Sequence, residues 1–247
     1  MAVVHGQLGH PVRLEWGETG GIGVARGVDV VVVVDVLTFC TTVTIAVEQG
    51  SMVVPCREGD DDLPSLAAQR NAVLAHAGAT DGPGPGPSGV SVAPPERLLL
   101  ADGGSDVVVS LRDVGTTVVA ACLRNAVAVA DWIAREHDAE QATVAVVAAG
   151  ARWPDGSLRP ALEDLWGAGA VLAALEDHGW PGLSPEAAQA ADARRLVQGR
   201  ELEHLNACAG GQELLAAGGA DDLELAGQVG ASSVVPLLGD RGFVPAP

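Results

Sequence analysis

The sequence predicts an α/β protein with three layers, α/β/α, built around a mixed and mostly parallel sheet. Five consecutive valines at residues 30–34 are typical of a strand whose two faces are both covered by helices. Further apolar runs of strand length alternate along the chain with longer segments of helical character, which is the order found in α/β folds. The 247 residues are enough to bury a large core. We therefore expect a single domain over residues 1–247.

The start of the chain predicts a strand and then a β-α-β unit. Alternating or apolar residues predict strands at 11–16, 28–37 and 51–55. Between the last two, residues 41–50 predict a helix that Gly50 closes.

A second helix and an irregular segment follow this unit. Aspartates just ahead of Pro64 predict a helix over residues 64–78, which Gly78 closes. Residues 80–95 are too rich in glycine and proline for regular structure. We expect a surface excursion there and no domain boundary.

The alternation continues in the middle of the chain. Apolar runs occupy residues 97–101, 106–111 and 116–123, and they precede a predicted helix at 125–137 and a strand at 143–149.

The last third predicts mostly helices. A loop over residues 150–160 leads into a helix over 160–179, with Pro160 as its first residue. Ser184 opens another helix, short helices follow, and residues 232–238 predict the last strand.

The composition excludes several functions. The net charge of -18 argues against nucleic acid and anionic membranes as partners, because both would be repelled. All 14 basic residues are arginines, so chemistry that requires a lysine amine is excluded. Four scattered cysteines and six histidines show no metal-ligand spacing, and no apolar run approaches a membrane span. We expect a cytoplasmic protein that does not enter a membrane.

Polar residues follow four of the apolar runs that end in the predicted sheet. Ligands of open α/β sheets bind at the carboxyl ends of strands, so these residues are the candidates for a site. They are Asp35 with Thr38, Thr41 and Thr42; Asp102 to Ser105; Arg124 with Asn125; and Gly150 with Arg152.

Asp35 has two interpretations from its position alone. It is either a helix-capping or turn aspartate, or a site carboxylate that binds a metal or pairs with an arginine. The Asp-x-Asp signature of aspartyl-phosphate enzymes is excluded, because Leu37 stands where the second aspartate is needed.

Arginines and a pair of carboxylates extend the set of candidates. Arg124, Arg152 and Arg159 can bind an anion through their guanidinium forks, or can form surface ion pairs. Glu163 and Asp164 lie in the first turns of a predicted helix, about 100° apart around its axis. We therefore expect one of the two carboxylates to serve the site and the other to be structural.

Longer motifs make the chain similar to a known family. The segments VRLEWG, VVVVDVLTFCTTVTIAVEQGS, CLRNAVAVADWIA, GARWPDGSLRPALEDLWGAGAVL and DLELAGQVGASSVVPLL occur in order from Val12 to Leu238. Together they resemble the 2-phosphosulfolactate phosphatase (ComB-like) family. The resemblance implies an α/β/α fold and magnesium-dependent hydrolysis of a phosphate monoester, releasing sulfolactate and phosphate on the route to coenzyme M.

The same resemblance implies the catalytic residues. Asp35 matches the aspartate of the family's D-V-L motif, Asn125 its asparagine after the middle strand, and Glu163 with Asp164 its glutamate-aspartate pair. We expect Mg²⁺ to be bound by Asp35 and one of Glu163 or Asp164.

The substrate is expected to be a small phosphorylated anion. Arg124 and Arg152 are expected to hold its anionic end. The further candidates for substrate binding are Thr38, Thr41, Thr42, Ser105 and Arg159.

Three departures from the family pattern leave alternatives open. Residues 75–82, AHAGATDG, lack the Glu and Arg of the family's Gly-Glu-Arg-Gly-Gly loop, and Gly103 stands in place of an asparagine. Near the C-terminus, Gln212 replaces an expected arginine. The alternatives are a catalytically weakened small-anion-binding protein of the same fold, and a phosphatase for another small phosphorylated acid. A homodimer is also open.

Overall fold

A mixed sheet lies at the centre of the part of the chain that the computed structural model describes. The described residues are 3–57, 59–60, 62–76, 86–92, 94–112, 114 and 117–247. The nine strands of this sheet are β1 Val12–Trp16, β2 Val30–Val34, β3 Met52–Cys56, β4 Val73–His76, β5 Arg97–Ala101, β6 Thr117–Ala121, β7 Val144–Ala148, β10 Pro236–Gly239 and β11 Gly242–Pro245. Two short strands, β8 Ala151–Arg152 and β9 Leu158–Arg159, form a separate hairpin.

Helices connect most of these strands. They are α1 Gly17–Ala25, α2 Phe39–Glu48, α3 Leu63–Arg70, α4 Pro87–Val92, α5 Gly103–Arg112, α6 Ala126–Glu136, α7 Leu162–Asp177, α8 Pro185–Val197, α9 Glu201–Ala207, α10 Ala209–Ala216 and α11 Ala220–Ala226, with a short 3-10 helix at Val3–Gly6. Among the described residues, no helix is long and apolar enough to cross a membrane.

The strand order is β1-β7-β2-β6-β10-β11-β3-β5-β4. Parallel pairing joins β1, β7, β2 and β6 on one side and β3, β5 and β4 on the other. The hairpin of β10 and β11 lies between the two sets and pairs antiparallel with β6 and β3. The prediction of a mixed, mostly parallel sheet is therefore confirmed.

The valine strand β2 explains the three layers. All five valines are fully buried, and they alternate between the two faces of the sheet. Val30, Val32 and Val34 pack in a cluster with residues of α6, α7 and α8, whereas Val31 and Val33 pack with residues of α1, α2 and α5. Because both faces of β2 are covered, only apolar side chains fit along it.

The helix predicted over residues 64–78 is shorter than expected. Asp62 accepts a hydrogen bond from the Ser65 amide at 3.1 Å and so caps α3, as the aspartates predicted. The helix ends at Arg70 because Asn71 takes a left-handed conformation with a φ of 50°. The chain then forms the edge strand β4, and Gly78 lies outside the described residues.

The excursion predicted over residues 80–95 is partly helical. Residues 80–85 and 93 lie outside the described residues, whereas α4 occupies Pro87–Val92. The Asp222 carboxylate accepts a hydrogen bond from the Ser88 amide at 2.7 Å, and the side chain of Val90 is fully buried. The prediction of irregular structure was wrong here, because contacts with residues distant in sequence stabilise this turn.

Several elements differ from the sequence prediction in smaller ways. Helix α7 begins at Leu162 and not at Pro160, because Ala161 has extended backbone angles after the pairing of β9. Residues 106–111 belong to helix α5. Helix α1, the β8–β9 hairpin and strand β11 had no counterpart in the prediction.

Glycines in α7 allow this helix to pack closely against the sheet and against α8. A Cβ atom at Gly167 would lie 2.6 Å from Val36 Cγ2, so α7 approaches the end of β2 closely. A Cβ atom at Gly169 would overlap the carbonyl oxygen of Ala190 in α8. The contact between α7 and α8 therefore depends on the absence of a side chain at residue 169.

We predict that Gly169→Ala destabilises the fold. Alanine favours the helix by roughly 1 kcal/mol, but the overlap with a backbone oxygen forces the two helices apart. The expected net loss in the free energy of unfolding is about 1–3 kcal/mol, measured by thermal or urea unfolding. Gly9→Ala is the matched control, since a Cβ atom there meets no atom within 4 Å. Equal stability of the two variants would contradict this account of the α7–α8 contact.

Candidate active site

Four segments meet around a cavity of about 270 Å³. They are the residues after β2, the residues after β5, the residues after β7, and the first turn of α7. The lining residues are Asp35, Leu37, Thr38, Asp102, Gly103, Gly104, Gly150, Ala151, Arg152, Ala161, Glu163 and Asp164. Three of the four strand ends that the sequence singled out therefore contribute to one cavity.

Asp35 accepts a hydrogen bond at the start of a helix and also lines the cavity. Its Oδ1 atom accepts a hydrogen bond from the amide of Phe39, the first residue of α2, at 3.2 Å. Its carboxylate also lines the cavity, although the residue is only 7% exposed. A Cβ atom at Gly104 would overlap Asp35 Oδ2, so a glycine is needed where α5 begins.

Asp164 ties α7 to two strand ends. Its Oδ1 atom accepts a hydrogen bond from the amide of Val36, and its Oδ2 atom accepts one from the amide of Gly150, both at 2.8 Å. These amides belong to the loops after β2 and β7. Asp164 therefore holds the backbone of the site in addition to lining the cavity.

Glu163 points towards α10. Its Oε2 atom accepts a hydrogen bond from the Cys208 thiol at 3.3 Å, and a Cβ atom at Gly210 would overlap its Oε1 atom. Burial raises the pKa of Cys208 to about 11, so this thiol keeps its proton at neutral pH. Glu163 and Asp164 both line the cavity, but Asp164 is the one bonded to the backbone amides.

The carboxylates of the site repel one another. Burial, followed by the charges of Asp164 and Asp102, raises the pKa of Asp35 well above its ordinary value. Burial and the charge of Glu163 raise the pKa of Asp164 to about 7, although its two backbone hydrogen bonds act in the opposite direction. Within the described part of the chain, no arginine forms an ion pair with Asp35, Glu163 or Asp164.

These residues could hold a hard divalent cation. Among the described residues, no group of three or more His, Cys, Asp and Glu side chains is arranged to bind a metal at once. Mg²⁺ commonly takes one or two carboxylates and completes its shell with waters and substrate phosphate. Asp35 and Glu163 both line this cavity, and buried carboxylates that no described arginine pairs with fit such an ion.

Arg152 stands between this cavity and a neighbouring one. The second cavity, also about 270 Å³, includes Trp16, Glu18 and Leu158 in its lining, and Arg152 lines both. Its guanidinium donates to Glu18 Oε1 at 2.9 Å and to Asp106 Oδ2 at 3.1 Å. Arg152 is thus at the position predicted for an anion-binding arginine, and two carboxylates orient it.

The three threonines after β2 divide into two kinds. Thr38 lines the cavity. Thr41 and Thr42 are fully buried in α2, where their hydroxyls donate to the carbonyl oxygens of Val36 and Thr38 at 2.8 and 3.0 Å. These two side chains hold the loop that carries Asp35.

Ser105 and Arg159 lie near the site without lining its cavity. The Ser105 hydroxyl donates to the carbonyl oxygens of Cys56 and Leu100, and so joins the ends of β3 and β5. Arg159 donates to Glu213 Oε2 at 2.6 Å, and its guanidinium lies 5.6 Å from the ring centre of Trp153.

The structure does not bring Arg124 and Asn125 to either cavity. Arg124 donates to the Leu225 carbonyl oxygen and to Gln228 Oε1, at the end of α11. The fully buried side chain of Asn125 donates to two carbonyl oxygens, those of Ala120 and Val234, and accepts from the Cys122 amide. Both side chains connect β6 to the C-terminal segment.

Glu18 was not among the residues predicted from the sequence, although it lines the cavity next to the candidate site. This carboxylate lies directly after β1 and accepts hydrogen bonds from Arg152, from Ser110 Oγ at 2.5 Å and from Arg57 at 3.4 Å. These donors lower the pKa of Glu18 in spite of its partial burial. The position after a parallel strand was the signal that could have identified it.

Part of the chain matches the model of a known protein family. A family model described as 2-phosphosulpholactate phosphatase matches residues 91–241, more than half of the chain. The match includes Asp102, Arg152, Glu163 and Asp164 but begins after Asp35. A search of curated proteins found no match.

We predict that, without divalent cations, the protein loses stability between about pH 4 and pH 7. The pKa of Asp35 and of Asp164 is raised in the folded state, so the folded state binds these protons more tightly than the unfolded state. The stability that these bound protons contribute is fully present below the ordinary aspartate pKa of about 3.9. It is lost as the pH rises through the folded-state pKa values of the two aspartates.

A variant isolates the part of this loss that Asp35 causes. Asp35→Asn removes one buried ionisable group. In EDTA at pH 8 the variant should therefore have a higher Tm than the wild type and a free energy of unfolding larger by roughly 1–3 kcal/mol. Glu224→Gln changes an exposed carboxylate and should have no such effect. A less stable Asp35→Asn variant under these conditions would refute the electrostatic account.

Proposed function

Because the chain belongs to the 2-phosphosulpholactate phosphatase family, we propose that it hydrolyses the phosphate monoester of a small sulfonated or carboxylated hydroxy acid, with 2-phosphosulfolactate as the first candidate. The observation that carries the proposal is one cavity lined both by buried carboxylates and by Arg152, which Glu18 and Asp106 orient. Such a site offers places for a cation and for an anionic phosphoryl group side by side. This arrangement favours phosphoryl chemistry over binding alone.

We assign the metal position to Asp35 and Glu163. Both are buried side chains with oxygen donors in the lining of the cavity, and Asp164 is already engaged by two backbone amides. Bound there, Mg²⁺ would supply positive charge that stabilises the phosphoryl oxygens in the transition state. The part of Asp164 is to fix the loops after β2 and β7, so that Asp35 and Arg152 keep their relative positions.

An arginine and several neutral hydrogen-bond donors bind the phosphoryl oxygens. Arg152 can donate two parallel hydrogen bonds from its guanidinium. Helix α5 begins at the cavity with Gly103 and Gly104, whose amides belong to the helix end where anions are stabilised. The hydroxyl of Thr38 is a further donor in the same lining. Orientation and charge stabilisation provide most of the rate acceleration in phosphoryl transfer, so these donors matter more than a strong base.

A second candidate function is a phosphatase for another small phosphorylated acid. Among the described residues that line the two neighbouring cavities, Arg152 is the one arginine. The carboxylates of Glu18 and Asp106 already balance its charge. Arg124 and Arg159 are bonded to α11 and α10 instead. A sulfonate in addition to a phosphate would therefore meet few positive groups in the described part of the chain.

Other predictions about this protein stay open. The family's Gly-Glu-Arg-Gly-Gly loop corresponds to residues 75–82, of which 77–82 lie outside the described residues. A catalytically weakened anion-binding protein, a homodimer and a cytoplasmic location also remain predictions.

The function is tested by phosphate release from a panel of substrates. We expect Mg²⁺-dependent release from 2-phosphosulfolactate or from a carboxylated analogue such as phospholactate, and none from phosphorylated sugars. Arg152→Gln should lower kcat/KM by about 100-fold, because it removes charged hydrogen bonds to the phosphoryl group. Arg135→Gln is the control, since Arg135 lies exposed on α6. No release from any member of the panel would reject the phosphatase and favour the binding protein.

The metal site is tested without an activity assay. Mg²⁺ should raise the Tm of the wild type at pH 8 and much less at pH 5, because the carboxyl group of Asp35, whose pKa is raised, must lose its proton to bind the ion. Asp35→Asn should remove most of this shift, whereas Glu224→Gln should retain it. A Tm that responds to Mg²⁺ equally in all three proteins would place the metal elsewhere.

A further inference from the structure

We propose that the protein carries a second anion site, in a cleft of about 330 Å³ at the end of β5 opposite to the candidate active site. Three arginines, Arg70, Arg97 and Arg241, line this cleft together with Met52 and Val54 of β3. We call it the arginine cleft. Its ligand is a small phosphate-bearing anion.

The three arginines come from separate parts of the chain. Arg97 is the first residue of β5 and pairs with Met52, the first residue of β3. Its Nη1 atom donates to the carbonyl oxygen of Arg70, the last residue of α3, at 3.1 Å. This hydrogen bond holds one guanidinium in place, next to a second arginine, before any ligand arrives.

The third arginine is placed by the hairpin of β10 and β11. Arg241 lies in the two-residue turn of this hairpin, beside Gly242. A Cβ atom at Gly242 would lie 2.5 Å from the Val53 carbonyl oxygen, so the hairpin tip approaches β3 closely. The close approach brings Arg241 to the start of β3, where Met52 lies.

The charge of the cleft is exceptional in this protein. Of the 14 arginines of the sequence, eight form ion pairs within the part of the chain that the structure describes, and six do not. Three of those six line the arginine cleft. One carboxylate, Asp240, and the amide side chain of Gln69 also line it. Positive charge therefore exceeds negative charge there, on a chain whose net charge is -18.

The size and chemistry of the cleft select its ligand. Guanidinium groups bind phosphate oxygens in pairs, and several arginines that converge on a small cleft suit one compact anion. The volume lies at the lower end of small-molecule sites. A long polyanion such as nucleic acid would be repelled by the surrounding negative charge.

The arginine cleft is separate from the candidate active site. Arg97 begins β5 and Asp102 follows its end, so the two sites lie about 16 Å apart along the strand. None of the described residues lines both the arginine cleft and the candidate active site. Substitutions in the cleft therefore leave the machinery of hydrolysis intact.

The test is a calorimetric titration of the protein with inorganic phosphate in the presence of EDTA. The background is Arg152→Gln, so that phosphate does not bind at the candidate active site. We expect one phosphate to bind per chain. Arg97→Gln or Arg241→Gln should raise the Kd for phosphate at least about tenfold. Arg26→Gln is the matched control, because Arg26 is exposed, forms no ion pair within the described residues and lies outside the cleft. The Arg26→Gln variant should bind phosphate with an unchanged Kd.

Three results would overturn the proposal. The first is that no phosphate binds at millimolar concentrations. The second is that Arg26→Gln weakens phosphate binding as much as Arg97→Gln does. The third is that Arg97→Gln loses self-association, seen by sedimentation, and keeps its phosphate binding. Hydrolysis by Arg97→Gln in the otherwise wild-type chain should stay within about twofold of the wild type. This readout separates failure of the cleft from failure of the proposed phosphatase.

Discussion

The candidate site depends on the two hydrogen bonds of Asp164. Its carboxylate accepts the amides of Val36 and Gly150, which lie in the loops after β2 and β7. Through these bonds, the first turn of α7 fixes the loop that follows Asp35 and the loop that leads to Arg152. Gly167 allows the same helix to lie against Val36, so packing and hydrogen bonding hold one geometry. The positions of Asp35 and Arg152 at the cavity follow from this junction.

The junction brings buried negative charges together, which opposes folding. Asp35 and Asp164 are both almost fully buried, and the pKa of each is raised by burial and by neighbouring carboxylates. A cation at this place would offset the repulsion and strengthen the fold. A Cβ atom at Gly104 or Gly210 would overlap the carboxylate of Asp35 or Glu163, which shows how little space the packing leaves around these two side chains. Charge repulsion at a site with this geometry is typical of functional sites.

The sequence predicted most of the sheet and several of the residues that line the cavity, because both follow from local signals. The valines of β2 required a buried strand, and the positions after β2, β5 and β7 became one cavity. Arg124 and Asn125 carry the same signal after β6, yet their partners in the C-terminal segment lie about a hundred residues away in sequence. Strand β4 and helix α4 likewise depend on distant partners, β5 and Asp222. No local pattern encodes such contacts.

Diffraction from crystals soaked in Mn²⁺ tests whether Asp35 and Glu163 bind the cation of a phosphatase site. Mn²⁺ prefers the same oxygen ligands as Mg²⁺ and has a usable anomalous signal. We expect an anomalous peak in the cavity, about 2.2 Å from carboxylate oxygens of Asp35 and Glu163. A well-occupied peak away from this cavity, or crystals of active enzyme without a peak there, would contradict it.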